Sequence, residues 1–284
     1  MWGVGGSVRL TRAREVRMGA GIEPIKGSWA AEALSAIARA PSVDEVWAAL
    51  VVALAGFGFD RVNYGLTFFL QGRNVGAPED VLYLSNRDAV FRRAYFGSGL
   101  YAETPMYDWI SKHEGACSWR VMADAYARRE LTEKQRQAVE KMNKLGSGAG
   151  YSISFPSASS RVRGAIGLCA KAELSQDDVD AIWEQEGNLI FAVCTLAHAR
   201  IVTLPLPVAR MDLTARQREV LNWISDGKSL QDVCVLMGLS LSAVEKHLKS
   251  ARARLDVETT AQAVAKLAFF NQLFISERRQ ANLE

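Results

Sequence analysis

A proline-containing stretch at residues 203–209 separates two parts of the chain with different secondary-structure patterns, and this change constrains the fold most. Before the stretch, short runs of β-forming residues lie between helical periods; after it, no strand signal remains. Its two prolines favour an extended connection, because proline interrupts a continuing helix. We therefore predict an α+β domain at residues 28–202, a linker at 203–212 and an all-α domain at 213–284.

The first domain is predicted to be an α/β/α sandwich built on an antiparallel sheet. Its strands and helices follow one another without the regular strand–helix alternation of a parallel sheet. Capping patterns mark helix starts at Ser42, Thr132 and Ser175. The predicted strands span residues 61–70, 81–84, 150–156 and 162–170, and the predicted helices span 29–40, 42–55, 88–96, 105–112, 132–146 and 175–200.

Composition limits the class of protein. Of 284 residues, 49% are apolar and 23% are charged, which provides for a sizeable core and excludes wholesale disorder. The longest apolar stretch, residues 46–59, is shorter than the roughly 18 residues that a bilayer crossing needs. The chain shows no leader pattern and has four cysteines without a CxxC spacing. These features predict a cytoplasmic protein with no membrane partner.

Charge gives little guidance at the level of the whole chain. The 34 basic and 31 acidic residues leave a net charge of only +3, so any case for nucleic-acid binding must come from local charge placement. Residues 1–27 hold six glycines and five basic residues without an apolar period. We predict that they form a flexible basic arm.

The sequence predicts neither an enzyme nor a metal or cofactor site. It contains no Ser/His/Asp set at usable spacing, no phosphate loop and no cluster of metal-ligating residues. Cys169 or Cys194 could be paired with His198 as a nucleophile and base. A histidine four residues from a cysteine on one helix is better explained by packing, so we predict no catalytic residues.

The second domain contains a helix-turn-helix pattern. Helices are predicted at residues 215–225, 229–237, 241–255 and 260–270. Gly238 supplies the permissive backbone that the turn needs, and Ser240 can cap the following helix.

The helix at 241–255 has two different faces on a helical wheel. One narrow stripe is apolar and predicted to pack inward; it consists of Leu241, Val244, Leu248, Ala251 and Leu255. The opposite face and its flanks are small, basic or hydroxyl-bearing, as a helix entering a major groove requires. Together with the start of the preceding helix, this face predicts DNA contacts by Lys228, Ser229, Ser242, Lys246, Lys249, Ser250, Arg252 and Arg254. The alternative is a solvated lysine-rich surface; the preceding turn and short helix favour DNA.

Residues 213–229 resemble the opening of the LuxR-type DNA-binding domain, and the resemblance continues to Leu273. Leu221 and Gly227 match positions that the family nearly always keeps, whereas Gln217 replaces its usual glutamate. The resemblance implies a bacterial transcription regulator that binds a palindromic site in double-stranded DNA as a homodimer, with RNA polymerase as a candidate partner. The helix at 175–200 is the predicted dimer element.

Three segments of the first domain resemble the family's autoinducer-binding domain. They are residues 56–65, which include Tyr64, residues 150–156, and the spacing from Tyr95 through Pro105 to Trp119. The resemblance implies quorum sensing through a small-molecule pocket whose contacts include Tyr64, Tyr95 and Trp119. The alternative for the aromatic residues is that they belong to the core.

The head-group positions of this pocket depart from the family. Arg87, Phe91 and Thr104 stand where the family has Tyr, Trp and Asp, and Gly167 replaces a frequent Ser or Thr. Phe91 lacks the indole N–H that would donate to a lactone carbonyl, and Thr104 lacks the carboxylate that would accept an amide N–H. Thr104 has a second interpretation, as the N-cap of the helix that starts at Pro105.

These departures predict that the ligand, if there is one, is not an ordinary acyl-homoserine lactone. Arg87 could fill the lactone site or recognise an acidic or carbonyl-rich ligand through its fork of donors. An alternative function is a ligand-independent regulator that acts constitutively or through mixed dimers with a ligand-sensing relative.

Overall fold

The computed structural model describes residues 24–208 and 212–275. The first helix, α1, spans Pro24–Arg39 and therefore begins inside the predicted basic arm. The prediction was wrong for residues 24–27, which are helical; the rest of the arm lies outside the described residues.

The first domain contains a five-stranded sheet with the strand order β2-β1-β5-β4-β3. Every neighbouring pair is antiparallel, which confirms the predicted architecture. The strands are β1 (Phe59–Thr67), β2 (Leu82–Ser85), β3 (Gly115–Ser118), β4 (Gly150–Ser154) and β5 (Arg163–Ala170). The sequence analysis missed β3, an edge strand of four residues that is too short to show an alternating pattern.

One face of the sheet packs against the longer helices of the domain. α1 and α2 (Val43–Gly56) pack beside the long helix α7 (Gln176–Ile201). Side chains that alternate along the strands meet these helices in one apolar core. This core includes Val46, Leu50 and Leu54 of α2, Ile190 and Val193 of α7, and Val62, Leu66, Ile166 and Leu168 of the sheet.

Shorter elements cover the other face and leave space beneath them. They are α3 (Ala89–Arg92) with a π-helical continuation (Arg93–Gly97), α4 (Pro105–Lys112), α5 (Arg120–Ala127) and α6 (Glu133–Lys144). α5 was not predicted. Thr132 and Gln135 form the predicted capping box at the start of α6.

The second domain is all-helical, as predicted. Its helices are α8 (Ala215–Ser225), α9 (Leu230–Met237), α10 (Leu241–Leu255) and α11 (Thr260–Phe269). Gly238 follows α9 with φ +64°, a left-handed backbone that glycine adopts without strain, and Ser240 caps α10 through the Ala243 N–H. These two residues turn the chain between α9 and α10.

Part of the chain between the domains is buried. Leu204 and Leu206 are fully buried, and the Leu206 N–H donates to the Phe270 carbonyl at 3.0 Å. The Gln272 side-chain amide donates to the Leu206 carbonyl at 3.0 Å. The second domain docks against the first through Phe270, which packs on Phe68, and through Lys266, which pairs with Asp80. Among the described helices, none has the length and apolarity needed to cross a membrane.

Candidate ligand cavity and DNA-binding surface

A cavity of about 120 Å³ lies between the open face of the sheet and α4. The strand register sets the side chains of its floor in rows. Asn63 pairs with Gly167, which pairs with Ser152. In the next row Gly65 pairs with Ala165, and both line the cavity. The floor is open because these residues are small.

Trp119 and Tyr95, two of the predicted ligand contacts, line the cavity. The Trp119 indole Nε1 donates to Ser152 Oγ at 2.9 Å, so its donor is already engaged. Burial raises the pKa of Tyr95 to about 12, so it is a neutral phenol at physiological pH. Its hydroxyl forms no hydrogen bond to the part of the chain that the structure describes. Tyr95 is thus the predicted contact best placed to bond a ligand.

Gly167 also lines the cavity, close to Trp119. A Cβ added at Gly167 would stand 3.9 Å from the Trp119 ring, which is ordinary van der Waals contact. The glycine is therefore not required by crowding. It leaves the space that the family's Ser or Thr would occupy.

Arg87 and Phe91 do not line the cavity, and the prediction that they contact the ligand needs correction. The Arg87 guanidinium lies 3.8 Å from the centre of the Phe91 ring, which in turn stacks on Tyr95. Arg87 Nη1 donates to Ser147 Oγ at 3.0 Å, and Nη2 donates to the Leu145 carbonyl. Burial lowers the Arg87 pKa from its usual value. Both residues form a layer behind Tyr95, outside the cavity.

Thr104 lines the cavity, but its hydroxyl is used in the backbone of α4. Oγ1 donates to the Tyr101 carbonyl at 2.7 Å and accepts the Tyr107 N–H at 3.2 Å. This is the N-cap geometry that the alternative interpretation predicted.

Tyr64 borders the cavity, but its hydroxyl is engaged with α7. The hydroxyl lies 2.8 Å from His198 Nδ1, and the His198 ring stacks on Phe155 at 4.3 Å. Burial lowers the pKa of His198 to about 4 and raises that of Tyr64. His198 is thus a packed, neutral imidazole. Among the described residues, no three His, Cys, Asp or Glu side chains could together hold a metal ion.

The sequence analysis missed several residues of the cavity wall. Tyr83, Tyr101 and Tyr107 join Tyr95 and Phe96 in one aromatic cluster. The Tyr83 hydroxyl donates to the Tyr101 hydroxyl at 3.1 Å. Asn63, Ser147, Ser152 and Arg163 supply further polar groups. Only the strand register could have indicated Asn63 and Ser152, and a single sequence does not give that register.

Most of the predicted DNA contacts are exposed, and some of them also form internal bonds. Those exposed are Lys228, Ser229, Ser242, Lys246, Lys249 and Arg254. The Ser229 hydroxyl also caps α9 together with Asp232. Arg252 Nη1 donates to Thr260 Oγ1 at 3.0 Å. Arg254 forms an ion pair with Asp212 at 3.5 Å.

Two assignments on the α10 wheel need correction. Ser250 is half-buried and accepts a hydrogen bond from Gln217 Nε2 at 2.8 Å, so its hydroxyl faces α8 rather than the outer surface. Leu241 is 44% exposed because it lies in the first turn of α10, beyond the reach of the core. Gln217 also accepts the Thr214 N–H at 2.9 Å, so this departure from the family keeps a role in the helix cap.

Comparison with known proteins agrees with this architecture. Residues 42–201 match the family model "Autoinducer binding domain", and residues 211–267 match "Bacterial regulatory proteins, luxR family". The chain belongs to the LuxR family. LuxR-type proteins are DNA-binding transcriptional regulators rather than enzymes, and this one carries an autoinducer-binding domain.

Individual relatives are distant. The transcriptional activator LuxR of Aliivibrio fischeri is 22% identical over 190 residues, which cover 66% of this chain and 73% of that protein. The quorum sensing-dependent regulator RpaR of Rhodopseudomonas palustris is 36% identical over 76 residues, or 26% of this chain and 31% of RpaR. The structure of SdiA in complex with octanoyl-rac-glycerol matches with a TM-score of 0.51 at 13% identity, covering 90% of this chain and 100% of that one. This last likeness concerns the fold alone.

Proposed function

We propose that this LuxR-type regulator responds to a small molecule other than an ordinary acyl-homoserine lactone. The observation that carries the proposal is the layer that Arg87 and Phe91 form behind Tyr95. The Arg87 guanidinium lies behind the cavity wall, and its Nη1 and Nη2 donate to Ser147 and to the Leu145 carbonyl. Arg87 and Phe91 therefore present no donor to a lactone head group in the cavity.

The hydrogen bonds of Thr104 support the same conclusion. Its hydroxyl proton is already donated to the Tyr101 carbonyl, and its oxygen accepts the Tyr107 N–H. A ligand amide would have to compete with these bonds for a neutral acceptor. A neutral hydrogen bond contributes about 0.5–1.5 kcal/mol, against about 1.5–3 kcal/mol for one to a charged group.

The two domains meet where the cavity wall ends, which suggests how occupancy affects DNA binding. Thr67 and Val81 line the cavity, and their chain neighbours Phe68 and Asp80 contact the second domain. The Phe68 ring lies 5.6 Å from that of Phe270, and Lys266 Nζ lies 2.7 Å from Asp80 Oδ1. A ligand that moves Thr67 or Val81 would move these contacts as well. We propose that occupancy shifts DNA affinity through this interface.

DNA binding is proposed to involve a homodimer on a palindromic site. The exposed side of α7 includes Gln185, Asn188 and Ala192, which share one helical face and remain available to a second copy. Twofold-related α10 helices would then read equivalent half-sites. RNA polymerase is the further partner that a transcription regulator would contact.

The competing function is a ligand-independent regulator that acts alone or in mixed dimers. Arg87 favours this alternative, because its guanidinium is hydrogen-bonded to Ser147 and Leu145 without any ligand. Mass spectrometry of small molecules extracted from the denatured protein separates the two. A reproducible extracted compound supports the sensor, and an empty extract with undiminished operator binding supports the ligand-independent protein.

Thermal unfolding in the presence of a lactone panel tests the proposal. A ligand that binds only the native state adds about 2.7 kcal/mol of stability at a hundredfold excess over its Kd, which would raise Tm by several degrees. We expect little change for this protein. The double variant Phe91→Trp with Thr104→Asp should gain only part of the shift, because Arg87 still occupies the layer.

The triple variant Arg87→Tyr, Phe91→Trp, Thr104→Asp should gain more than the double variant. Gly148→Ala is the control, since a Cβ there meets no atom within 4 Å. A large increase in the Tm of the unmodified protein with common acyl-homoserine lactones would contradict the proposal and indicate an ordinary lactone receptor.

A further inference from the structure

Arg163 marks the end of the cavity opposite to Trp119. It begins β5, four positions before Gly167, and pairs with Thr67 in the third row of the floor. At about 3.3 Å per strand residue, the rows of Gly167 and Arg163 are ~13 Å apart. The cavity therefore has two separate ends, joined by a floor of small residues.

The Arg163 guanidinium is incompletely paired. Its Nη1 donates to Ser154 Oγ at 3.3 Å and lies 3.9 Å from Glu114 Oε1, while the Glu114 side chain is 49% exposed. Its Nε is buried and has no acceptor among the described residues. A guanidinium carries five N–H donors and a permanent charge, and a buried charge is unfavourable unless it is paired and hydrogen-bonded.

The rest of the cavity has no such charge. Of the described residues that line it, Arg163 alone is charged. The opposite end offers the neutral groups of Asn63, Tyr95 and Ser152. The wall between the ends is mostly aliphatic and aromatic, and includes Leu70, Val75 and Ile110.

We propose that Arg163 binds the carboxylate of an elongated, otherwise apolar ligand, whose other end lies against Trp119 and Tyr95. A carboxylate accepts two N–H bonds from a guanidinium in parallel, so it fits the donors that Ser154 and Glu114 leave open. This inference rests on the proposed small-molecule sensing and specifies the chemical class of the ligand. It places the charged group at the Arg163 end, away from the layer of Arg87.

Octanoate and octanamide are the probes, because they differ only in the group that would meet Arg163. Binding to the full chain is measured by calorimetric or NMR titration, and the quantity of interest is the ratio of the two dissociation constants. We expect wild type to prefer octanoate at least tenfold. Arg163→Gln should abolish the preference, and Arg163→Lys should keep part of it.

Two further variants make the test specific. Arg161→Gln removes the same charge from an exposed neighbour and should leave the preference unchanged. Glu114→Gln removes the competing carboxylate and should strengthen octanoate binding several-fold. Thermal unfolding of each variant checks that it is folded.

The outcomes separate this inference from the proposed function. Equal binding of acid and amide to wild type, or an unchanged preference in Arg163→Gln, overturns the carboxylate site and leaves an open sensing cavity. If neither probe binds wild type and no compound can be extracted from it, both the carboxylate site and small-molecule sensing are overturned.

Discussion

Helix α10 and the cavity wall use their polar side chains in opposite ways. On α10, Lys246 and Lys249 are exposed and form no ion pair or hydrogen bond with the described part of the chain. Thr104 in the cavity wall and Arg87 behind it are buried and bonded to neighbouring groups of the same domain. The lysines of α10 would give up only bound water on contact with a partner. Arg87 and Thr104 would first have to break hydrogen bonds within their own domain.

This difference indicates what each region can recognise. Free ammonium groups bind phosphate or base edges without first breaking internal bonds, as the proposed DNA contacts of Lys246 and Lys249 require. A wall with engaged donors favours a mostly apolar ligand whose polar group binds elsewhere in the cavity. Arg163 is the charged residue of the described cavity lining, and its Nε has no acceptor among the described residues.

The largest expected effect comes from breaking the contact that joins the two regions. Lys266 and Asp80 are buried, with side-chain exposures of 6% and 10%, and the Lys266 Nζ also donates to the Leu255 carbonyl at 2.8 Å. Lys266→Met leaves the Asp80 carboxylate without this cation, which should cost about 3–5 kcal/mol of the docked state. Denaturant unfolding measures the loss, and small-angle scattering detects separation of the domains.

A matched control for this variant is Arg216→Met. Arg216 pairs with Glu219 at 2.8 Å, but both side chains are exposed, so its loss should cost less than about 1 kcal/mol. Adding Asp80→Asn to Lys266→Met should recover part of the stability, because the buried carboxylate charge is then removed as well. Equal effects of Lys266→Met and Arg216→Met would show that the interdomain pair does not hold the domains together.

The next effect tests the free side chains of α10. Lys246→Ala should cost about 1–3 kcal/mol of operator binding and alter sequence preference if Lys246 reads a base. Arg252 is bonded to Thr260, and we expect it to contact a phosphate rather than a base. Arg252→Ala should therefore weaken binding to all DNA sequences alike and reduce the slope of log K against log salt concentration by roughly 0.9. Electrophoretic mobility or anisotropy titrations at several salt concentrations measure both. If both variants bind the operator as tightly as wild type does, α10 is not the helix that contacts the operator.

The second domain could be predicted from sequence almost completely because its signals are local. α8 and α10 have the predicted bounds. Their N-caps, Thr214 and Ser240, each accept a hydrogen bond from the backbone N–H three residues further along the chain, so the signal is local. Ser250 was misplaced because its partner, Gln217, lies 33 residues away on another helix. A helical wheel shows which face of its helix a residue occupies, but it does not show which side chain of another helix contacts that residue.

The cavity was less predictable because its geometry depends on long-range contacts. Arg87 bonds Ser147, 60 residues away, and no local pattern indicates that its guanidinium turns from the cavity. Trp119 and Tyr95 were found because the family resemblance marks their positions. Arg163 was missed because its place on the floor follows from the pairing of β5 with β1.

The smallest effect tests whether the buried Tyr64–His198 pair is part of the internally bonded region. Burial lowers the His198 pKa from 6.5 to about 4, so the unfolded chain takes up a proton in that interval while the folded protein does not. His198 thus stabilises the fold above pH 6.5, and this contribution falls progressively down to about pH 4. Urea unfolding should show a loss of about 1 kcal/mol for the first pH unit below 6.5.

His198→Gln is the variant that isolates this contribution. Glutamine keeps a polar group near the Tyr64 hydroxyl but does not titrate, so the variant should lack that part of the pH dependence. Lys246→Ala should keep it in full, because Lys246 lies on the exposed face of α10. If His198→Gln and wild type lose stability in parallel between pH 6.5 and about 4, the imidazole is not held neutral by burial. The Tyr64–His198 contact would then be open to water, and the contrast between the bonded cavity domain and the free DNA surface would hold only for Arg87 and Thr104.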